Sequence, residues 1–289
     1  MLLRAFAKIN LDLRILGRRP DGYHEIRTVL QTIDWFDEIR IDPADSFEFF
    51  SLGNPLENAS GSSNLVVRAV RAFERATGQL VHARIELLKN IPAGAGLGGG
   101  SADAAVTMLG LQQLYDRTLS PAELHLCLRT LGSDVPFFSV GGRAVGTGRG
   151  DEVTPEPDDG DPSYWLVIVF SGVAISTAEA YSWLTVSGES NTIEGFYAQV
   201  DTGRAAGSPV NDFEGAVFGH HPFLREIKSE LLRRGALHAA LSGSGSAIFG
   251  QFDREEDAQK AASELARYGT ARVTRPLSRA RYLQSVFAG

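Results

Sequence analysis

The stretch from Ile91 to Ala104, IPAGAGLGGGSADA, constrains the fold more than any other part of the chain. Five of the seven residues from Gly94 to Gly100 are glycine. Glycine loses more backbone freedom on ordering than any other residue. Ordering five together therefore implies positive φ, or a close approach of the backbone to something, at several of them. Ala83 to Leu88 alternates like a strand before the stretch, and Ala102 to Tyr115 has helical periodicity after it. The glycines thus join a β-like segment to a helix N-terminus.

Three glycine motifs fit such a place to different degrees. A Walker A loop needs lysine after its last glycine, and here Ser101 and Ala102 follow Gly100, so that motif fails. Gly94, Gly96 and Gly99 match the dinucleotide spacing G-x-G-x-x-G. However, KNIPA separates them from the strand, and no second strand ending in an acidic residue follows about twenty positions on. A plain tight turn does not explain five glycines. A phosphate cradle does, because loop and helix N–H groups converge on an anion and Ser101 adds a hydroxyl. In that reading a Cβ at Gly99 would block the approach of phosphate.

Composition limits what else the chain can be. With 289 residues, 43% hydrophobic and 22% charged, it reads as one large globular core or two ordinary ones. A net charge of -7 and a pI near 5.4 exclude nucleic acid or an anionic membrane as the main partner. The longest apolar run, Tyr164 to Phe170, is too short to span a bilayer. Lys8, Asn10 and Asp12 break any signal-peptide core, so a cytoplasmic location is expected, with no obligate protein partner evident. The single cysteine, Cys127, lies at helical spacing with Leu124, Leu128 and Leu131 and reads as a core residue.

The rest of the chain alternates between the two periodicities. Ala5 to Ile15 reads as a strand with apolar odd positions and a polar face bearing Lys8, Asn10 and Asp12. GRRPDG (17–22) is a turn, and β-like sequence runs on through Asp34 and from Ile39 to Phe50. Asn64 to Ala76 is helical. Ser120, Pro121 and Glu123 start another helix with a capping box, and Gly132 ends it. The acidic segment from Glu152 to Pro162 marks a boundary or an exposed hairpin. Tyr164 to Phe170 is a buried strand, and Ser176 with Glu179 forms a second capping signature. Pro222 to Arg234 and Glu255 to Tyr268 are helical, with strands at Leu237–Leu241 and Ala247–Phe252. Strands flanking helices in both halves predict an α+β protein with two lobes, residues 1–151 and 152–289.

Five segments in order then carry a resemblance. PAGAGLGGGSADAA looks like the second signature of the GHMP kinases (galactokinase, homoserine, mevalonate and phosphomevalonate kinases). AKINLDLRILGRRPDGYHEIRT near the start, LGSDVPFF (131–138), GRAVGTGRGD (142–151) and SGSGSAIF (242–249) accompany it. The DGYH after AKINL resembles the branch that acts on a cytidine diphosphate-linked sugar alcohol. The resemblance implies a two-lobed GHMP kinase fold, ATP bound by the N-terminal lobe, and the active site in the cleft between lobes. The C-terminal lobe would contribute to acceptor binding, and the activity would be a phosphotransfer from ATP to an alcohol.

Residue by residue, the resemblance gives Lys8 and Asp134 as the catalytic pair. Asp134 would take the acceptor's proton, and Lys8 would offset charge on the transferred group. The ATP stretch is Pro92, Ala93, Gly94, Ala95, Gly96, Leu97, Gly98, Gly99, Gly100, Ser101 and Ala102, with Asn64, Leu65 and Lys89 lining base and sugar. Asn10, Tyr23, His24, Thr177 and Tyr181 would meet the acceptor, Tyr23 and His24 at its cytosine. Magnesium is implied by ATP chemistry, with no protein ligand assigned. On residue type alone, Lys8 reads as a solvent-exposed strand lysine, and Asp134 reads equally as the N-cap of a short helix before Pro136. Two other functions stay open: a different small-molecule kinase of the family, which DGYH opposes, and a nucleotide-binding module without catalysis, which intact Lys8 and Asp134 oppose.

Overall fold

The computed structural model describes residues 1–52, 61–158, 160–184 and 210–287. Its first sheet is built on one long hairpin, β1 (Leu2–Arg18) and β2 (His24–Pro43), closed by the turn at residues 19–23. On its other edge β2 pairs with β4 (Ala83–Leu88) and with β5 (Arg143–Thr147). β3 (Glu48–Leu52) runs parallel to β4, and β6 (Glu152–Pro155) closes a hairpin with β5. The first four residues of the acidic segment are therefore an edge strand.

Three helices cover one side of this sheet: α1 (Leu65–Thr77), α2 (Gly99–Leu114) and α3 (Pro121–Leu131). Their starts follow their sequences. Asn64 caps α1 by accepting from Val66 N–H (2.8 Å), and Ser120 and Glu123 form the reciprocal capping box of α3. α2 is buried nearly all round and rich in alanine, glycine and leucine, as suits a helix enclosed by neighbours. Cys127 is half-buried against this first core.

The second sheet has the order β10-β7-β9-β8 and is antiparallel throughout. Its strands are β7 (Trp165–Phe170), β8 (His238–Leu241), β9 (Ile248–Phe252) and β10 (Thr270–Thr274). Val167 and Val169 face a core made with the helices of this half, α4 (Thr177–Ser182), α5 (Glu214–His220), α6 (Pro222–Arg233) and α7 (Glu255–Leu265). Leu166 and Ile168 point the other way, into a core shared with Ala7, Ile9, Ile33 and Trp35 of the first sheet. Burial on both faces is why β7 is uninterrupted hydrophobic sequence.

That shared core changes the reading of β1. The expected polar face is closed as well, and Lys8 and Asn10 are 2% and 3% exposed. Register shifts between Phe6 and Lys8 and between Asn10 and Asp12 re-aim this stretch, as bulges beside functional sites do.

The chain then returns to the first lobe. After β10, Leu277 and then α8 (Arg279–Val286), through Tyr282 and Val286, pack on the first core. Its first turn is held by the acidic segment: Asp158 accepts from Arg279 and Ala280 N–H, and Asp161 from Ser278 N–H (2.9 Å). Burial opposes ionisation of Asp161, yet Arg281 and Ser278 hold its carboxyl down to about 2. Tyr282 is fully buried, crosses Phe6 edge-on at 5.8 Å and donates its hydroxyl to Phe138 O. Tyr282→Ala should therefore destabilise the protein by about 3–5 kcal/mol, measured by urea unfolding. A loss under about 1 kcal/mol would mean that α8 is not part of the first core.

Candidate active site

The loop from Pro92 to Gly98 lies where both sheets meet. Gly94, Gly96 and Gly98 take φ of 65°, 76° and 71°, while Ala95 and Leu97 between them are buried in the shared core. Left-handed backbone at every second residue is a pattern found in anion nests, where successive N–H groups turn toward one point. The carbonyls turn outward to the scaffold. Gly94 O accepts from Ile175 N–H (3.1 Å), Ala95 O from Ala247 N–H (3.0 Å) and Leu97 O from Lys8 N–H (2.9 Å). Gly96 O accepts from both Lys8 Nζ (2.8 Å) and Ser242 Oγ (3.0 Å).

Only glycine fits this packing at all three positions, and a Cβ on Gly94 would lie 2.6 Å from that of Ala174. A Cβ on Gly96 would lie 2.0 Å from Ser242 O, and one on Gly98 would lie 2.9 Å from the Phe138 ring and 3.0 Å from Lys8 Cγ. Gly99 differs from expectation. Its Cβ would meet Ile91 at 2.9 Å and Asp37 at 3.3 Å, so its smallness lets α2 pack on the strand-to-loop junction.

Lys8 projects from β1 under this loop. Its ammonium donates to Asn10 Oδ1 (2.6 Å) and Gly96 O and lies 3.3 Å from Asp134 Oδ2. Asn10 is oriented in turn by donating to Thr28 Oγ1 (2.7 Å), whose hydroxyl donates to Asp12 O. The solvent-exposed reading of Lys8 is thus corrected: three acceptors make its burial tolerable. Asp134 precedes a 3-10 turn (Val135–Ser139), but its side chain makes no capping bond. It faces Lys8 and stays 40% exposed toward the cleft, so capping does not explain it.

A cleft of about 830 Å³ lies over these groups. Every residue singled out from the sequence lines it except Ala102, which is buried in the first turns of α2. Asn64 and Leu65 bring the start of α1 to it, and Ser101 lies at the start of α2. Lys89 also lines it, but its ammonium is held by Asp37 and Asp103, the latter at 2.8 Å. From the second lobe come Thr177, whose hydroxyl is 3.3 Å from Ser244 Oγ, and Tyr181.

The aromatic end is arranged differently from a simple pair of plates. His24 stacks on Tyr181 with centroids 4.5 Å apart and planes within 11°. Burial and then Arg18 lower the His24 pKa, which favours the neutral ring. Burial, followed by the charge of Asp134, pushes Tyr181 up to about 12. Tyr23 is 54% exposed, with the Arg149 guanidinium 4.7 Å over its ring. Arg149 pairs with buried Asp151 (2.8 Å). Burial works against that carboxylate, but Arg149 and Arg129 hold it below the usual range.

Sequence reasoning passed over Arg149, although it sits inside GRAVGTGRGD. It also missed Asn211, which donates to Leu241 O and Gly243 O (both 2.8 Å) and fixes the 242–246 turn against the cleft. The only signal for Asn211 was an asparagine-aspartate pair before a helix.

Comparison with known proteins gives one consistent answer. Residues 64–142 match the GHMP kinases N terminal domain, and residues 199–271 the GHMP kinases C terminal family. A 4-diphosphocytidyl-2-C-methyl-D-erythritol kinase of Solibacter usitatus is 46% identical over 294 residues, covering 97% of this chain and 90% of that one. The same-named kinase of Prosthecochloris aestuarii is 38% identical, covering 94% of this chain and 96% of its own. A crystal structure of 4-(cytidine 5'-diphospho)-2C-methyl-D-erythritol kinase superposes with a TM-score of 0.78 at 34% identity, covering 96% of this chain and all of that one. Homoserine kinase from Cytophaga hutchinsonii, with a TM-score of 0.72 at 19% identity and coverage of 96% and 94%, shares the fold. Among the described residues no helix is long and apolar enough to cross a membrane. The chain belongs to the GHMP kinases and, within them, to the 4-diphosphocytidyl-2-C-methyl-D-erythritol kinases.

Proposed function

We propose that this chain moves the γ-phosphoryl group of ATP to the 2-hydroxyl of 4-diphosphocytidyl-2-C-methyl-D-erythritol, a step toward isoprenoid precursors in the non-mevalonate pathway. One observation carries the reading. Lys8 ties together Asp134 and the Gly96 carbonyl of the glycine loop, so an exposed carboxylate, a buried cation and an anion nest meet at one point.

In this mechanism the N–H groups of the loop and of the α2 N-terminus hold the triphosphate. The acceptor oxygen attacks the γ-phosphorus, the bond to the β–γ bridging oxygen breaks, and ADP leaves. Asp134 takes the hydroxyl proton, a contribution of roughly 10²–10⁴-fold. The Lys8 charge lies where negative charge spreads over the transferred group. Its bonds to Asn10 and Gly96 fix it there in advance. Magnesium would arrive on the triphosphate. Among the described residues no group of three or more His, Cys, Asp or Glu could hold an ion alone, and Asp103 is tied to Lys89. Ser101, which lines the cleft, is the hydroxyl available beside it.

The acceptor's base would bind at the other end, by Tyr23, His24 and Tyr181. The stacked His24–Tyr181 pair, 4.5 Å apart, has no space for a ring between its members. Cytosine therefore lies against Tyr23 or takes the place of His24 on Tyr181. A neutral imidazole offers one donor and one acceptor to the edge of the base. Binding energy from this remote group positions the hydroxyl for attack.

A coupled ADP-release assay with several acceptors tests the whole reading: turnover with the full acceptor supports it, and preference for homoserine or mevalonate overturns it. Asp134→Asn and Lys8→Ala should each lower kcat by at least about a hundredfold with the fold intact by circular dichroism. Near-normal turnover would remove that residue from the chemistry. Gly96→Ala should weaken a non-hydrolysable ATP analogue by about tenfold or more in isothermal titration, since its Cβ must displace Ser242 O. Unchanged affinity would show that the loop tolerates a shift there. Tyr23→Ala should weaken acceptor binding by roughly 1–3 kcal/mol and leave ATP affinity nearly untouched, and methylerythritol 4-phosphate should be a very poor acceptor. Equal kcat/KM for full and truncated acceptors would sink the cytidine assignment.

A further inference from the structure

Asp37 lies in β2 at 0% exposure, and its carboxylate serves three successive residues. Oδ1 accepts from the N–H groups of Asn90 (2.5 Å) and Ile91 (2.8 Å), and Oδ2 from the Lys89 ammonium. Lys89 also donates to Asp103 Oδ2 (2.8 Å). These contacts bracket the glycine loop. Asn90 and Ile91 lead into it, and Asp103 stands in the helix that leaves it. One ammonium between two carboxylates closes the loop across its base, and Trp35 Nε1–H, donating to Asn90 O (3.1 Å), adds a neutral bond on the incoming side.

This arrangement is expensive for stability. Each buried ion costs several kcal/mol after relaxation, and here two anions share one cation. Asp103 Oδ1 is buried with no hydrogen-bond partner among the described residues. Burial raises the Asp103 pKa, against the pull of Lys89 and with a smaller push from Asp37. Burial alone would lower the Lys89 pKa, but Asp103 and Asp37 outweigh it and raise it. Packed apolar side chains of the same volume would hold a core at least as well. What ions provide instead is a directional, three-point register between segments.

We propose that Asp37, Lys89 and Asp103 form a buried clamp that presets the separation of the two ends of the glycine loop, making all three positioning residues for ATP. The clamp rests on the reading of that loop as the ATP cradle. Lys89 lines the cleft, yet its ammonium is committed to the two carboxylates. Its effect on the nucleotide therefore passes through the loop's shape and not through an ion pair with phosphate. Gly99 belongs to the same device, because its missing Cβ lets α2 approach Ile91 and Asp37.

The test uses isothermal titration of a non-hydrolysable ATP analogue into the full chain, its Asp103→Asn, Asp37→Asn and Lys89→Met variants, and the double variant Lys89→Met/Asp103→Asn. Hydrogen exchange of residues 91–100 is followed in each. Asp103→Asn, nearly isosteric, is expected to raise the analogue's Kd by about tenfold or more, to speed exchange of the loop amides, and to leave the acceptor's KM within about twofold. The double variant should bind no worse than Lys89→Met, as members of one unit do. Folded carboxamide variants that bind as the unsubstituted chain does, with unchanged loop exchange, would overturn the clamp. So would losses that simply add in the double variant, since Lys89 would then act on ATP directly. Failure of the unsubstituted chain to bind the analogue would instead overturn the ATP reading itself.

Discussion

The carbonyl oxygen of Gly96 receives two donors from distant parts of the chain, Lys8 Nζ from β1 and Ser242 Oγ from the second lobe. A carbonyl has two lone pairs, and here both are used. That pair of hydrogen bonds orients the loop peptide, fixes the head of a buried lysine, and joins the two halves of the molecule at the same atom. The flanking carbonyls repeat the pattern, with Ile175 and Ala247 holding Gly94 and Ala95 from the second lobe. Ala95 and Leu97 press their side chains into the shared core. The loop is therefore rigid because its scaffold-facing side is fully engaged, and its cleft side owes its shape to that engagement.

An acidic protein that holds a triphosphate must do so with local fields. The net charge of -7 is screened over about 8–10 Å at ordinary ionic strength, while the nest, the α2 N-terminus and Lys8 act at contact distance. The first turn of α2 has no acidic residue, so the positive end of its dipole is not neutralised there. Buried charge elsewhere in the site is balanced by near neighbours: Lys8 by Asp134, Lys89 by two aspartates, and Asp151 by Arg149 and Arg129.

Local signals in the sequence were reliable where the deciding partner is close along the chain. The capping box of α3 rests on contacts within three residues, and β7 and the glycine loop are marked by runs rich in one residue type, apolar in one and glycine in the other. Residues whose role is set from far away were not legible. Lys8 read as exposed because its covering groups, Gly96 and Asp134, lie 88 and 126 positions on. Asp134 read as a cap because its neighbours permit one. β10 and α8 are short and carry few apolar residues, so little marks them until β7 and the first core are in place. The carboxylates of Asp158 and Asp161 read as part of a boundary or an exposed hairpin, since the helix they cap begins more than a hundred residues later.

The return of α8 to the first lobe has a consequence for how the protein is made. The wall formed by Leu277, Tyr282 and Val286 belongs to the same core as Phe6, Phe138 and Ala144, yet it is synthesised after the whole second sheet. A nascent first lobe thus waits with its Phe6 and Gly141 surface uncovered while more than a hundred further residues emerge. During that interval the exposed apolar face is the part of the chain most open to association with other chains. The two lobes, distinct as cores, are one unit in the order of their assembly, and the slow long-range closure comes last.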